Sequence, residues 1–235
     1  YTQRDHDRVC IPGQPMDLKA GFSVEAILGA LGGSPQPLLD AFRSGSIRGA
    51  AGIVGCNNPK IKHNFGHVQL AEELIKKDVL VVETGCSAIA CAQAGLLKPE
   101  AAELAGPGLK EVCTSLGIPP VLHMGSCVDC SRILVLAGAL AKALDTAISD
   151  LPLAGAAPEW YSQKAVSIAS YFVSSGVYTV LGIPPKIFGS QNVLNLASQG
   201  LQDVVGASFA VEPDPVKAAG MMLTHIEHKL SQLGI

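Results

Sequence analysis

The sequence is poor in charge, since only 16% of its 235 residues are Asp, Glu, Lys or Arg, against about 25% in an ordinary soluble domain. The formal net charge is −3 and no run of Lys or Arg exceeds two residues, so the chain lacks the electrostatic footprint of a nucleic-acid-binding protein. Apolar residues make up 48%. Such a composition is typical either of a compact, alanine-rich α/β protein or of one whose surface is covered by another domain or subunit.

The chain also lacks a long apolar segment. No stretch reaches the ~18 residues of a membrane-spanning helix, and no signal peptide opens the sequence. We therefore expect no nucleic acid and no membrane among the partners, and a cytoplasmic location. The first residue is Tyr1 rather than methionine. We expect residues 1–16 to be a connector from a missing upstream part, and residues 17–235 to form one domain.

Short β-branched runs alternate with helical segments along most of the chain. Ser23 is placed to cap the first helix, and a last helix is predicted over 215–233. Five segments are predicted as strands: 47–54, 79–83, 120–124, 177–181 and 208–211. This alternation predicts an α/β fold with a Rossmann-like, doubly wound, mainly parallel sheet flanked by helices. Residues 152–158, rich in glycine, alanine and proline, are interpreted as a loop within the domain.

Seven cysteines occur in a sequence without a secretory signal, so we expect metal ligation or burial rather than a disulfide framework. Cys56, Cys86 and Cys127 each follow a predicted strand, with a glycine immediately before or one residue earlier. Because ligands bind beyond the carboxyl ends of parallel strands, the three thiols are expected to converge on one edge of the sheet and to face one cavity. The helices that follow would stabilise thiolates with their positive N-terminal ends.

Three thiolates do not complete a metal site, since structural zinc and iron–sulfur clusters usually take four protein ligands. Further ligands would be His123, Cys130 or residues outside this chain. A histidine on a buried strand is alternatively a hydrogen-bonded core residue. Cys130 forms a C-x-x-C pair with Cys127, but as a helical residue it is expected to point into a helix interface. The remaining cysteines carry no comparable signal: Cys10, Cys91 and Cys113.

Four segments in order resemble the last third of the catalytic subunit of anaerobic nickel–iron–sulfur carbon monoxide dehydrogenase: 52–60 (GIVGCNNPK), 81–88 (VVETGCSA), 122–129 (LHMGSCVD) and 157–165 (APEWYSQKA). The resemblance runs from Asp5 to Leu233 and is closest to the form that partners acetyl-CoA synthase. It implies that Cys56, Cys86 and Cys127 ligate the nickel–iron–sulfur active-site cluster. Residues 17–235 would then be a Rossmann-like cluster-binding domain.

The resemblance also implies roles for one helix of the chain. Lys164 matches a lysine beside the substrate position that donates a hydrogen bond or a proton to bound carbon dioxide or its intermediates. Ile168, one helical turn further, matches an apolar residue near the substrate cavity. Trp160 belongs to the same segment and is assigned a packing role only.

The implied activity is the reversible oxidation of CO with water to CO2, with two electrons passed to an iron–sulfur acceptor. The family uses upstream residues for the rest of the active-site cluster and N-terminal cysteines for further iron–sulfur clusters, and neither set is in this chain. Expected partners are therefore the upstream domains of the same subunit, a second copy in a homodimer, ferredoxin and an acetyl-CoA synthase subunit. The chain alone is expected to be inactive.

Alternatives from other classes stay open at this point. The chain could be an isolated Rossmann-like binding or scaffold module, either metal-free or holding zinc or iron. It could also be a domain of a hybrid-cluster-type protein, which shares the fold but has other residues around its cysteines. A nucleotide-binding enzyme is disfavoured, because no G-x-G-x-x-G follows a predicted strand and residues 29–33 (GALGG) close a helix instead of opening one.

Overall fold

Six parallel strands form one sheet in the computed structural model, which describes residues 5–8 and 15–234. The strands are β1 (Gly49–Ile53), β2 (Val79–Thr84), β3 (Val121–Gly125), β4 (Leu153–Ala157), β5 (Tyr178–Leu181) and β6 (Phe209–Val211). Their order is β3-β2-β1-β4-β5-β6, and every neighbouring pair is parallel. In this doubly wound order the direction of strand addition reverses between β1 and β4, which is the switch point where ligands bind. The predicted Rossmann-like fold is confirmed.

Helices cover both faces of the sheet. They are α1 (Val24–Ala30), α2 (Gln36–Arg43), α3 (Phe65–Ile75), α4 (Gly85–Gln93), α5 (Pro107–Leu116), α6 (Cys130–Leu144), α7 (Gln163–Ser174), α8 (Gln191–Asn195), α9 (Leu201–Val205) and α10 (Pro215–Leu233). A π-helical turn, Leu196–Gly200, joins α8 to α9. Ser23 caps α1 as predicted, because its hydroxyl accepts a hydrogen bond from the Ala26 N–H at 3.2 Å. No helix in the described part of the chain is long and apolar enough to span a membrane.

The predicted connector, residues 1–16, falls mostly outside the described residues. The part that is described includes a short 3-10 turn, His6–Arg8. Cys10 also lies outside the described residues. The division of the chain at residue 16 therefore stays a prediction.

The interpretation of residues 152–158 as a loop is wrong, because β4 lies there and pairs with both β1 and β5 in the middle of the sheet. Its sequence, LAGAA, lacks the β-branched and aromatic residues that indicate a strand. Packing explains these small residues. A Cβ on Gly155 would lie 2.8 Å from Phe172 Cδ2, and a Cβ on Gly52 of β1 would lie 3.2 Å from Phe172 Cε2. The Phe172 ring of α7 thus packs against β1 and β4 at positions where glycine leaves room for it.

The buried residues form two hydrophobic clusters, and the smaller one supports the carboxyl ends of β1 and β4. It contains Phe172 and Trp160, and the half-buried side chains of Cys56 and Ile168 pack against it. The Trp160 indole N–H donates a hydrogen bond to the Ile183 carbonyl at 2.7 Å. Trp160 therefore has the packing role expected for it, and the cluster gives the switch point a rigid base.

Replacing Gly155 by alanine is expected to destabilise the chain by about 1–3 kcal/mol, because the Phe172 ring must move to admit the methyl group. The matched control is Gly29→Ala in α1, where a Cβ would meet no atom within 4 Å. That change should be neutral or stabilising by about 0.5–1 kcal/mol, since alanine favours the helix. Urea unfolding of the two variants gives both values. A Gly155→Ala chain as stable as the parent would contradict the packing described here.

Candidate metal centre

The structure places Cys56, Cys86 and Cys127 at one edge of the sheet, just beyond the carboxyl ends of β1, β2 and β3. These strands are neighbours, so the thiols are distributed along one half of the sheet, beginning at the switch point. Cys86 is exposed, and Cys56 and Cys127 are half-buried. The expected common edge is therefore present. A shared cavity and the role of the thiols as ligands stay predictions.

The backbone brings Cys127 against the beginning of the helix that carries Cys86. Gly85 opens α4 with φ +63°, and a Cβ on it would lie 2.5 Å from Cys127 Sγ. Only glycine suits this position, because it accepts the left-handed conformation and leaves room for the neighbouring sulfur. The glycines before the other two thiols, Gly55 and Gly125, also have positive φ angles. Cys86 consequently lies in the first turn of α4.

Cys56 is followed by a non-helical segment, and α3 begins only at Phe65. The donors near its sulfur come instead from the segment that leads into α7. Ser162 Oγ lies 3.4 Å from Cys56 Sγ. Partial burial opposes ionisation of this thiol, but the Ser162 hydroxyl, the N–H groups of Ser162 and Tyr161 and the charge of Lys164 outweigh it, and the pKa of Cys56 is lowered. The thiolate, which is the metal-binding form, is thereby favoured.

In metal-free protein, Cys56 is expected to react with iodoacetamide at lower pH than an ordinary thiol of pKa about 8.5. Its folded-state pKa is lowered, so the reactive thiolate persists as the pH falls through the ordinary range. Ser162→Ala removes one donor and should move the midpoint of the rate profile upward. Peptide mapping after alkylation at a series of pH values measures the profile. A midpoint that Ser162→Ala leaves unchanged would contradict this account of the thiol.

Lys164 lies in the first turn of α7 and is exposed to solvent. Its charge helps to lower the pKa of Cys56, although the two residues belong to segments on opposite sides of the switch point. Ile168 is half-buried against the smaller hydrophobic cluster. Residues four apart share one face of a helix, so Lys164 and Ile168 form one face of α7.

The remaining candidate ligands, Cys130 and His123, and the other core cysteine, Cys113, are buried or half-buried. Cys130 is buried, its Sγ lies 3.0 Å from Thr84 Oγ1, and burial raises the pKa of its thiol to about 11. It therefore faces the interior as a neutral thiol beside the end of β2, and its expected place in a helix interface stays a prediction. His123 is half-buried within β3. Cys113 lies in the larger hydrophobic cluster, where burial raises its pKa to about 12.

Sequence reasoning missed three fully buried ionisable residues near this edge: His67, Glu83 and Glu159. Glu83 Oε1 accepts hydrogen bonds from Ser87 Oγ at 3.0 Å and from Cys91 Sγ at 3.2 Å, and burial raises the Glu83 pKa to about 8. A hydrogen bond of 3.0 Å joins His67 Nε2 to the Cys56 carbonyl, so His67 fixes the backbone at that thiol. A carboxylate at the end of an apolar strand, as at Glu83, was a usable signal.

Within residues 5–8 and 15–234, no group of three or more His, Cys, Asp or Glu side chains is arranged to hold a metal ion. The three thiols follow β1, β2 and β3, which are neighbouring strands. A cluster whose metal atoms take separate thiolates fits thiols on separate strands better than one ion does, and iron, sulfide and nickel suit soft thiolate ligands.

By its fold and its thiols, the protein is a doubly wound α/β domain with cysteines along its ligand-binding edge. The sequence-family model of the Prismane/CO dehydrogenase family matches residues 1–216 of the chain. The chain belongs to this family.

Individual relatives agree with that assignment. Carbon monoxide dehydrogenase 1 of Methanosarcina mazei is 63% identical over 235 residues, which is 100% of this chain and 37% of the relative. An as-isolated, Ni-free crystal structure of carbon monoxide dehydrogenase from Thermococcus sp. AM4 matches with a TM-score of 0.95 and 60% identity, over 100% of this chain and 37% of that one.

A structure of acetyl-CoA synthase/carbon monoxide dehydrogenase, described for its NiZn[Fe4S4] and NiNi[Fe4S4] clusters, matches with a TM-score of 0.87 and 39% identity, over 92% and 34% of the two chains. The chain thus spans little more than a third of the length of these relatives.

Proposed function

We propose that this chain is the part of a carbon monoxide dehydrogenase catalytic subunit that supplies Cys56, Cys86 and Cys127 to a nickel–iron–sulfur active-site cluster. The observation that carries the proposal is the placement of three thiols along one edge of a parallel sheet, in a chain of this family. The lowered pKa of Cys56 supports it, because a thiolate is the form that binds metal. The first turn of α4 adds positive helix-end charge beside Cys86.

The reaction is the reversible conversion of CO and water to CO2, two protons and two electrons. The bound cluster would supply the redox-active metal at which this conversion takes place. The chain itself contributes the thiolates, the backbone turns that hold them, and a cationic side chain at the beginning of α7. Glycines at the turns allow backbone N–H groups to approach the edge closely.

Lys164 is proposed to act on the substrate. Its charge helps to lower the pKa of Cys56, and a cation at the beginning of α7 would stabilise negative charge that develops on a substrate oxygen, or donate a proton to it. Ile168 lies one turn further on the same face of α7 and would keep water from the substrate side. The face of α7 thus combines one charge with an apolar surface.

The remaining parts of the enzyme are proposed to lie outside this chain. Its described residues include three strand-end thiols. The chain spans 37% of the length of the Methanosarcina mazei relative. Upstream domains of the same subunit would complete the ligand set and hold further iron–sulfur clusters. A homodimer, ferredoxin as electron acceptor and an acetyl-CoA synthase subunit are the proposed partners.

The isolated chain is expected to show no CO oxidation with a viologen acceptor, even after reconstitution with iron, sulfide and nickel, because three thiolates leave the cluster without its full ligand set. The complete subunit, reconstituted in the same way, is the positive control and should turn over. Visible absorption of both preparations shows whether iron–sulfur centres formed. Robust turnover by the chain alone would show that it contains all of the ligands.

A further inference from the structure

Two amide hydrogen bonds connect the segments that carry Cys56 and Cys86. Asn57, which follows Cys56 directly, donates from Nδ2 to Asn64 Oδ1 at 2.6 Å. Asn64 in turn donates from Nδ2 to Gln93 Oε1 at 2.6 Å. Gln93 is the last residue of α4, and Cys86 lies in the first turn of the same helix. The segments that carry the two thiols are therefore joined through one side chain, that of Asn64.

Asn64 makes this bridge in place of its ordinary role. It is the N-cap residue of α3, where asparagine usually accepts a hydrogen bond from the first helical N–H groups, yet its side chain makes no capping bond. Its backbone is left-handed, with φ +65°, which asparagine tolerates better than most residues do. The amide is thus turned away from its own helix and toward Asn57 and Gln93.

The missing cap is supplied from another part of the chain. Glu159, which is buried and follows β4, accepts a hydrogen bond on Oε1 from the Gly66 N–H in the first turn of α3 at 2.6 Å. A Cβ on Gly66 would lie 3.1 Å from Glu159 Cγ, so the glycine makes room for the carboxylate. Glu159 Oε2 also lies 3.5 Å from Asn57 Nδ2. With α3 capped by Glu159, the Asn64 side chain is available for the bridge.

We propose that Asn64 is a positioning residue whose amide bridge sets the separation of Cys56 and Cys86. The connection runs from the turn after β1 to the end of α4, so it holds two neighbouring strand-end segments in one geometry. Asn64 bonds neither thiol directly, so its loss should change metal affinity by about 10-fold, the lower end of the range typical of direct hydrogen-bond partners of metal ligands. The effect on the metal cluster rests on the proposed function, whereas the mechanical link between the two segments does not.

The test compares Asn64→Gly with Asp145→Gly in the complete subunit. Both residues have a left-handed backbone, so glycine preserves the conformation in each, but only Asn64 makes the bridge. Hydrogen exchange of metal-free protein should become several-fold faster in 56–64 and also in 90–93 for Asn64→Gly, and in neither segment for Asp145→Gly. After metal loading, Asn64→Gly should show an altered electron paramagnetic resonance spectrum of the active-site cluster and roughly 10-fold weaker nickel binding.

Two further variants keep the proposal testable if Asn64→Gly does not fold. Gln93→Ala removes the bridge from its other end within a helix that alanine favours, and it should reproduce the altered spectrum. Asn64→Asp retains acceptor oxygens for Asn57 and for a turned Gln93 amide, so it should restore the parent spectrum.

Unchanged exchange in 90–93 together with a parent-like spectrum in Asn64→Gly and Gln93→Ala would overturn the proposal. Absence of nickel-dependent CO oxidation in the parent subunit would instead refute the proposed function, and the exchange comparison would still decide the link.

Discussion

Replacement of Cys86 by alanine in the complete subunit is expected to abolish CO oxidation and to remove nickel and iron from the active-site cluster. Cys86 is exposed at the first turn of α4. Because it is a proposed ligand, its loss would leave a metal atom without its thiolate. Cys91 on the same helix cannot replace it, because it is buried and its thiol contacts Glu83. The rate of CO oxidation should fall more than about 100-fold, which is the largest effect typical of substitutions in residues that only support a metal ligand.

A buried cysteine provides the control for this substitution. Cys113→Ala changes a thiol within the larger hydrophobic cluster, where burial raises its pKa to about 12 and keeps it neutral. This variant should keep its nickel, its iron and its rate. Metal analysis gives the nickel and iron content of both variants, and a viologen assay gives their rates of CO oxidation. A Cys86→Ala subunit that keeps parent levels of nickel and iron would remove Cys86 from the ligand set.

The alternation of strands and helices could be predicted most clearly where the strands have apolar, β-branched sequences, as β2 and β5 do. β2 is VLVVET and is fully buried, so its pattern is unambiguous. β4 could not be found in this way. Its LAGAA sequence is selected by the Phe172 ring that packs across it, and that contact joins residues from separate parts of the chain. Local propensity does not contain this information.

The candidate site likewise has features that the sequence predicts and features that depend on contacts between distant parts of the chain. The strand-end positions of the three thiols follow from the parallel topology, which the sequence pattern predicts. The electrostatics of Cys56 could not be predicted, because its donors, Ser162 and the Tyr161 N–H, come from a segment about a hundred residues later in the chain. Lys164 was identified by family resemblance alone. Its charge helps to lower the pKa of Cys56, and its role toward the substrate stays a prediction.

Replacement of Lys164 by alanine in the complete subunit is expected to lower the rate of CO oxidation about 100-fold, which corresponds to ~3 kcal/mol of lost transition-state stabilisation. The cation lies at the beginning of α7 and helps to lower the pKa of Cys56, and its proposed role is to act on charge that develops on the substrate. It is not a metal ligand, so nickel and iron should stay at parent levels. This combination separates Lys164 from the cysteines, whose loss removes metal and rate together.

The control for Lys164 is Lys142→Ala, which removes an exposed cation near the end of α6 and should leave the rate unchanged. An independent measurement needs no metal. Because the charge of Lys164 lowers the pKa of Cys56, its removal should shift the alkylation profile of that thiol to higher pH. A Lys164→Ala subunit with full activity and an unshifted Cys56 profile would show that the lysine is a solvated surface residue. A shifted profile with full activity would place the charge near the thiol but exclude it from the chemistry.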